Sequence, residues 1–432
     1  MVKDDLTIAL YGIKGVYNYG CEAIIRGTEI ILREKWPDIH IKYVSLRPKD
    51  DKKRLKGCDV EIIPREKYPL LSLSGFSKTL AHTIGIPFYP FFEENTEWIE
   101  DCDAIFSIGG DLYTLPSNYQ DKSRFHFLKY LNNPRSLSMN YGNKLFGKPY
   151  NPLIHFGDLV HTNQKKFIIW GASIGPFEKS ENAKKIFRTH LLNVDLITAR
   201  EPTTKSYLNN LGIHANVENC ADPAFLVSSN RDNKAKISDE IVIGLNLSPF
   251  SANQVFGKNE TKIILKQTEM IKKIVDKFQA KIILIPHVIS ENVKDDDLRY
   301  LKLLKDSLDG KTSDYVSLID ADVGFLETKK IISQCDLLIA ARMHCAINAI
   351  ETEVPTIFIS YSKKSEGMAY YVYRNNKWII PLDNMKYDFV LKLIQSMLSE
   401  KEYLKFFLKK RMETIRSDAY LPLIKLNQVL KK

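Results

Sequence analysis

Short apolar runs alternate along the chain with longer stretches whose apolar residues recur three and four apart. The runs are strand-like: residues 6–12, 39–46, 59–64, 103–110, 166–177 and 194–202 in the first half, then 241–250, 281–288, 315–320, 336–342 and 355–362. The stretches between them read as amphipathic helices, at 21–36, 203–213, 261–279, 296–308 and 324–335. Gly212 closes the second of these, as a helix C-terminus prefers. Strands that are apolar throughout, separated by helices, predict parallel sheets covered on both faces.

The pattern restarts once. Residues 228–240, SSNRDNKAKISDE, are polar and without periodicity, and read as an interdomain linker. The predicted organisation is an N-terminal Rossmann-like domain over 1–230, a C-terminal one over 240–395, and a helical segment over 396–432. Residues 113–165 break the alternation. Their aromatic content argues for an ordered insertion rather than a disordered loop.

In open parallel sheets, ligands bind outside the carboxyl ends of the strands. That rule selects the candidate site residues. The first run leads into YGIKGVYNYGCEAI, where Gly12, Gly15 and Gly20 bracket a loop before a helix. Gly15 and Asn18 are candidate ligand contacts there, or parts of a plain structural turn. The spacing is not G-x-G-x-x-G, so it gives no dinucleotide fingerprint. The run at 103–108 ends in Gly109, Gly110 and Asp111. Asp111 reads either as an acid facing a sugar hydroxyl or as a helix cap. Arg200 ends the run at 194–199, suited to a carboxylate or phosphate, or to an ion pair with Glu201. His287 follows Pro286 at the end of another run.

The stretch LLIAARMHCAINAIE (337–351) joins a buried strand to a helix through Arg342 and His344. Period-two alternation turns both side chains the same way. Arg342 then reads as an anion-binding cation, and His344 as an acid or base near neutral pH. The plainer alternative makes His344 a helix cap and pairs Arg342 with an acid.

Composition narrows this little. The chain has 432 residues, 44% hydrophobic and 26% charged, which supplies two ordinary cores. Its net charge of +10 is spread among acids, without a nucleic-acid-binding stripe. Six cysteines are scattered without metal-ligand spacing, so free thiols in a reducing cytoplasm and no metal are expected. The N-terminus lacks the pattern of a secretion signal, and no run approaches the length that spans a bilayer. Residues 68–92 are apolar, aromatic and Lys-bearing. They read as a buried segment or as a peripheral membrane contact.

Several stretches in order resemble the polysaccharide pyruvyl transferase family: GVYNYGCEAI, FSIGGDLY, GASIGPF, LITAREPTTKSYLNNLGI, CADPAFL and LLIAARMHCAINAIETEVPTIFISY. They cover about residues 8–375. The chain departs from the family's pattern at Cys21 and Asp111 and in the length of 113–165. The resemblance implies two Rossmann-like domains facing a cleft, similar to the B-type glycosyltransferase fold. It implies a cytoplasmic transferase for cell-surface or exopolysaccharide synthesis, using phosphoenolpyruvate as donor substrate, with no cofactor, and a saccharide acceptor that is free or lipid-linked. By resemblance, Arg200 and Arg342 would meet across the cleft on the donor's anionic groups. His344 would be the general acid, and Asp111 would orient or deprotonate the acceptor. Two rivals stand beside this. One is a nucleotide-sugar glycosyltransferase, with Glu351 or Glu353 gripping a ribose. The other is a non-catalytic partner in glycan assembly.

Overall fold

The computed structural model describes residues 6–66, 95–115, 151–228, 240–256, 260–360, 363–382 and 385–431. Most of the expected insertion at 113–165, the 68–92 segment and most of the expected linker lie outside the described residues.

Contacts divide the chain into two compact units. The first comprises Met1–Lys14, Ile31–Cys220 and Tyr420–Lys432; the second comprises Gly15–Ile30 and Ala221–Ala419. This division differs from boundaries drawn along the sequence, for two local reasons. The helix Pro422–Leu430 packs on strands of the first unit. Residues 19–30 pack on a turn of the second unit, where Gly27 lies against the carbonyl of Pro223.

The first unit is built on a seven-stranded parallel sheet in the order β3-β2-β1-β4-β5-β6-β7. Its strands are β1 (Thr7–Tyr11), β2 (His40–Ser45), β3 (Glu61–Pro64), β4 (Ala104–Ile108), β5 (Lys166–Ala172), β6 (Leu196–Ala199) and β7 (Val217–Asn219). The central strands β4 and β6 are buried at every position, because helices cover both faces. Tyr11, Phe156, Phe167, Phe177 and Phe187 belong to the core. Three helices here start with proline at their first position: Pro48, Pro152 and Pro202. There its missing N–H costs nothing.

The second unit repeats the scheme with six parallel strands in the order β10-β9-β8-β11-β12-β13. These are β8 (Val242–Asn246), β9 (Lys281–Leu284), β10 (Val316–Leu318), β11 (Leu337–Ala340), β12 (Thr356–Ser360) and β13 (Ile379–Pro381). Five helices are labelled here: α1 (Tyr19–Lys35), α2 (Pro202–Asn210), α3 (Asp297–Asp306), α4 (Gly324–Ile332) and α5 (Met343–Glu351).

Each sheet reverses its winding once. After β1, β2 and β3 step one way, β4 returns to the other side of β1; β11 does the same beside β8. Such reversals leave a crevice at the carboxyl ends of the two central strands. In the second sheet the register pairs Ala340 with Asn246 and Leu245 with Leu284. The carboxyl ends of β9, β8 and β11 are therefore level, and so are the loops that follow them.

Two predictions concern this framework. A methyl group at residue 27 would lie 1.9 Å from the Pro223 carbonyl oxygen. Gly27→Ala ordinarily strengthens a helix, by up to about 1 kcal/mol. Here the overlap wins, with a net cost of about 1–3 kcal/mol. Thermal unfolding reads it, and an unchanged or raised melting temperature would refute the contact.

His190 is buried beside Tyr113 at 5.8 Å between ring centroids, and its Nε2 has no hydrogen-bond partner. Burial first, then His161 and His155, lowers its pKa from 6.5 to about 3. The unfolded chain takes up this proton at higher pH than the folded one. Stability is therefore lost as pH falls from about 6.5 towards 3. Urea unfolding of His190→Leu across that range should show a shallower decline than the parent. Parallel curves would refute the assignment.

Candidate functional site

In the first unit, three neighbouring strands bring their carboxyl ends together. β4 ends in Gly109, Gly110 and Asp111; β5 is followed by Ser173; β6 is followed by Arg200. The Arg200 side chain is fully buried. Its Nε donates to Ser173 Oγ at 2.8 Å and lies 3.6 Å from Glu201 Oε2, and its Nη2 reaches Asp111 Oδ1 at 3.4 Å. Ser173 Oγ donates in turn to Glu201 Oε2 at 2.9 Å. The guanidinium lies against the main chain of Gly110. A Cβ there would come within 2.5 Å of Nη1 and 2.7 Å of Nη2, so only glycine permits this approach. Gly109, at φ 134°, turns the chain after β4. The Asp111 side chain is 56% exposed. It sits in a turn and begins no described helix, so it is not the helix cap that its sequence position also allowed.

In the second unit, β9, β8 and β11 end in His287, Asn246 and Arg342 respectively, counting the first polar side chains at or beyond each strand. Asn246 joins the two outer loops. Its Oδ1 accepts from the Arg342 amide at 2.8 Å, and its Nδ2 donates to the Ile285 carbonyl at 2.8 Å. Arg342 is the residue before α5. Its Nη2 donates to Asp295 Oδ1 at 2.7 Å and Asp297 Oδ1 at 2.8 Å, and its Nε to Asp297 at 3.2 Å. Burial disfavours this charge, but the two aspartates outweigh burial and hold the guanidinium more firmly protonated than usual.

Asp297 is fully buried at the start of α3. Its Oδ2 also accepts the backbone amides of His287 and Val288, each at 3.1 Å. Burial raises the carboxyl above its usual range, and Arg342 and the His287 amide pull it back only in part.

His287 is buried, with Nε2 unpartnered. Tyr19 and Phe325 meet its ring edge-on at 5.4 and 6.0 Å. Burial first, then the charges of His344 and Arg342, hold it well below the usual histidine range. It is neutral at pH 7. Residues 17–19 run antiparallel to 287–289: Tyr19 N donates to the His287 carbonyl, and Ile289 N to that of Tyr17.

His344 lies in the first turn of α5. Its Nε2 is buried, 3.3 Å from Oδ2 of the fully buried Asp222, an ion-pair distance without hydrogen-bond geometry. The other side of the ring lies on Gly20, where a Cβ would come within 2.4 Å of Nδ1. Glu22, two residues on in α1, accepts the Phe325 amide at 3.1 Å, fixing α1 against the start of α4.

The expected residues thus form two groups. Gly109, Gly110, Asp111 and Arg200 are together in the first unit. Gly15, Asn18, His287, Arg342 and His344 belong to the second. Asn18 serves α1, its Oδ1 accepting the Gly20 amide at 2.9 Å. Gly15, at φ 148°, supplies the turn before it. Both arginines already face carboxylates, the ion-pair alternative that the sequence left open. Four residues that sequence reasoning passed over complete the groups, Ser173, Asp222, Asp295 and Asp297, while Glu201 is the ion-pair partner of Arg200 that the sequence allowed. Asp222 lay within the CADPAFL stretch, where an acid before proline and an apolar run was the available signal. Among the described residues, no group of three His, Cys, Asp or Glu side chains could hold a metal ion, and no helix is long and apolar enough to cross a membrane.

A family model for polysaccharide pyruvyl transferase matches residues 18–363. The chain belongs to the polysaccharide pyruvyl transferase family. A search of curated proteins found no match. Solved structures of similar fold include the UDP-GlcNAc 2-epimerase of Methanocaldococcus jannaschii, at 15% identity and TM-score 0.51, covering 91% of this chain and 92% of that one. The Anabaena protein HepE, solved with UDP and glucose, aligns at 11% identity and TM-score 0.54, covering 98% and 97%. The UDP-GlcNAc 2-epimerase of Neisseria meningitidis aligns at 11% and 0.53, covering 98% and 99%. At these identities the likeness concerns the fold, which is two Rossmann-like domains of the B-type glycosyltransferase kind.

Arg342→Ala would leave Asp297 buried beside Asp295 without its cation. The expected cost is about 3–5 kcal/mol at neutral pH. Asp297 already binds its proton more tightly folded than unfolded. Without Arg342 that difference grows, so the variant should regain stability relative to the parent as pH falls and Asp297 protonates. Urea unfolding at pH 7 and pH 5 checks this. An equal loss at both would refute it.

Proposed function

We propose that this chain transfers the enolpyruvyl group of phosphoenolpyruvate to a saccharide and closes it into a pyruvate ketal, in the synthesis of a cell-surface or exported polysaccharide. Family membership supports the reaction class. The observation that carries the site assignment is His344: a histidine at the start of α5, backed by a buried carboxylate and beside the neutral His287.

The chemistry runs as follows. A proton adds to the methylene carbon of the donor, and the adjacent carbon becomes electrophilic. A sugar hydroxyl adds there and loses its proton. Phosphate leaves with the electron pair of its C–O bond. A second hydroxyl adds and loses its proton, and the ketal is closed. The products are ketal and inorganic phosphate, with no net redox change, and the residues need no cofactor.

His344 is assigned the general acid. Asp111, the exposed carboxylate of the first unit, orients or deprotonates the acceptor hydroxyl. Arg200 meets a donor anion by exchanging its long 3.4 Å contact with Asp111. Arg342 acts differently from a free cation. Its charge is committed to Asp295 and Asp297, so it fixes the loops that carry His287 and His344. The loop of Gly15 and Asn18 and the turn of Gly109 and Gly110 contribute main chain at the carboxyl ends of β1 and β4. The acceptor is a saccharide, free or lipid-linked, and the chain works in the cytoplasm or at the membrane surface. The nucleotide-sugar alternative gains nothing from Glu351, the acid it would use on a ribose. Both its oxygens are engaged, Oε2 by Lys329 and Oε1 by Arg416, each at 2.8 Å.

The test is incubation with phosphoenolpyruvate and a panel of saccharides, read by phosphate release and by mass for the added pyruvate. His344→Ala should lower turnover by roughly 10²–10⁴-fold while donor binding persists. Turnover of the variant near the parent's would remove His344 from the acid role. Sugar transfer from a nucleotide sugar, with no pyruvate added, would replace the proposal.

A further inference from the structure

We infer that Asp222 is a positioning residue for His344: it holds Nε2 inward, so that Nδ1 is the nitrogen that delivers the proton. This rests on the reading of His344 as general acid and goes beyond it, naming the working nitrogen and the residue that selects it.

Three observations carry it. First, Nε2 of His344 is buried while 15% of the side chain stays exposed. The accessible part of the side chain is therefore not Nε2. Second, Asp222 Oδ2 is the acidic group facing that nitrogen, at 3.3 Å. Third, Asp222 is itself held. It is fully buried, and its Oδ1 accepts the Ala224 amide at 3.0 Å, capping the single turn Pro223–Leu226. That turn packs directly on α5. The carboxylate cannot swing away without uncapping its own turn, and the imidazole cannot rotate freely, because Gly20 packs beside its Cβ–Cγ–Nδ1 side closely enough to leave no room for a Cβ at residue 20.

The charge logic is consistent. The charged and titratable groups on the elements beside the ring are Asp222 before the Pro223–Leu226 turn, His287 after β9, Arg342 before α5, and Glu22 of α1. His287 is neutral, Arg342 is paired with Asp295 and Asp297, and Glu22 is paired with Arg26 at 3.0 Å. Asp222 is the anion that lies 3.3 Å from Nε2. It favours Nε2–H in the neutral ring, leaving the Nδ1 lone pair to take up the working proton. In the reaction the Nδ1–H bond breaks and a C–H bond forms at the donor's methylene carbon, with Asp222 unprotonated throughout.

Asp222→Asn tests this, because one amide cannot do both jobs. If its oxygen keeps the Ala224 cap, its NH2 faces Nε2 and favours the opposite tautomer. The readouts are the tautomer of the neutral His344 ring, given by its 15N shifts in histidine-labelled full-length protein and assigned with His344→Gln, and steady-state kinetics with phosphoenolpyruvate. The expected results are Nε2–H in the parent and Nδ1–H in Asp222→Asn, and kcat of the variant lowered by at least roughly 100-fold with KM for the donor within about threefold. Asp222→Glu, which restores the charge, should recover at least about tenfold of the loss. It also guards against a variant that merely misfolds. An unchanged tautomer, or a kcat within about threefold of the parent, overturns the inference. Because the tautomer is read without substrate, it decides the role of Asp222 even if phosphoenolpyruvate proves not to be the donor.

Discussion

The second unit depends on one buried carboxylate. Asp297 accepts from Nε and Nη2 of the Arg342 guanidinium and from the amides of His287 and Val288. These contacts span the sheet at its winding reversal, from the loop after β9 to the loop after β11, with Asn246 of β8 between. A buried ion pair of this kind adds little net stability over an apolar core. Its geometry is directional, however, and either half is ruinous alone. What it secures is position. His287 is placed by its own amide, and His344 follows two residues after Arg342 on the first turn of α5.

The same arrangement sets the electrostatics. A net charge of +10 and two arginines at strand ends suggest an anion-hungry site. The folded chain places Glu201 and Asp111 on Arg200, and Asp295 and Asp297 on Arg342. Each guanidinium is therefore matched locally by carboxylates rather than left as a bare cation at its strand end. Neutral His287, with a buried unpartnered Nε2, adds a donor or acceptor.

Much of this was legible in the sequence. Strands buried on both faces announce themselves as unbroken apolar runs, and the residue that ends such a run stands at the binding edge. That argument singled out Asp111, Arg200, His287, Arg342 and His344, and each follows the carboxyl end of a strand in the fold. It missed β7 and β13, three residues each, whose sequences VEN and IIP are too short to show a period. It also missed the partners. Asp295 and Asp297 sit in the run KDDD, which has the look of a solvated charge cluster, and only packing distinguishes the buried third acid from its half-buried neighbours. Ser173 carries no pattern and Asp222 only that of an acid before proline, since a hydroxyl or carboxylate acquires its meaning from what folds against it. Chain order says little about the units for a related reason: residues 15–30 group with the second unit and 420–432 with the first, each apart from the unit of the segment before it.

The contact between Gly20 and the His344 ring has a consequence for how this protein can vary. One wall beside the imidazole is main chain, which every residue type shares, so changes at surrounding positions leave that wall's shape alone. Position 20 itself is the exception: a single added carbon would push the ring aside. The room around the imidazole is thus governed by one codon.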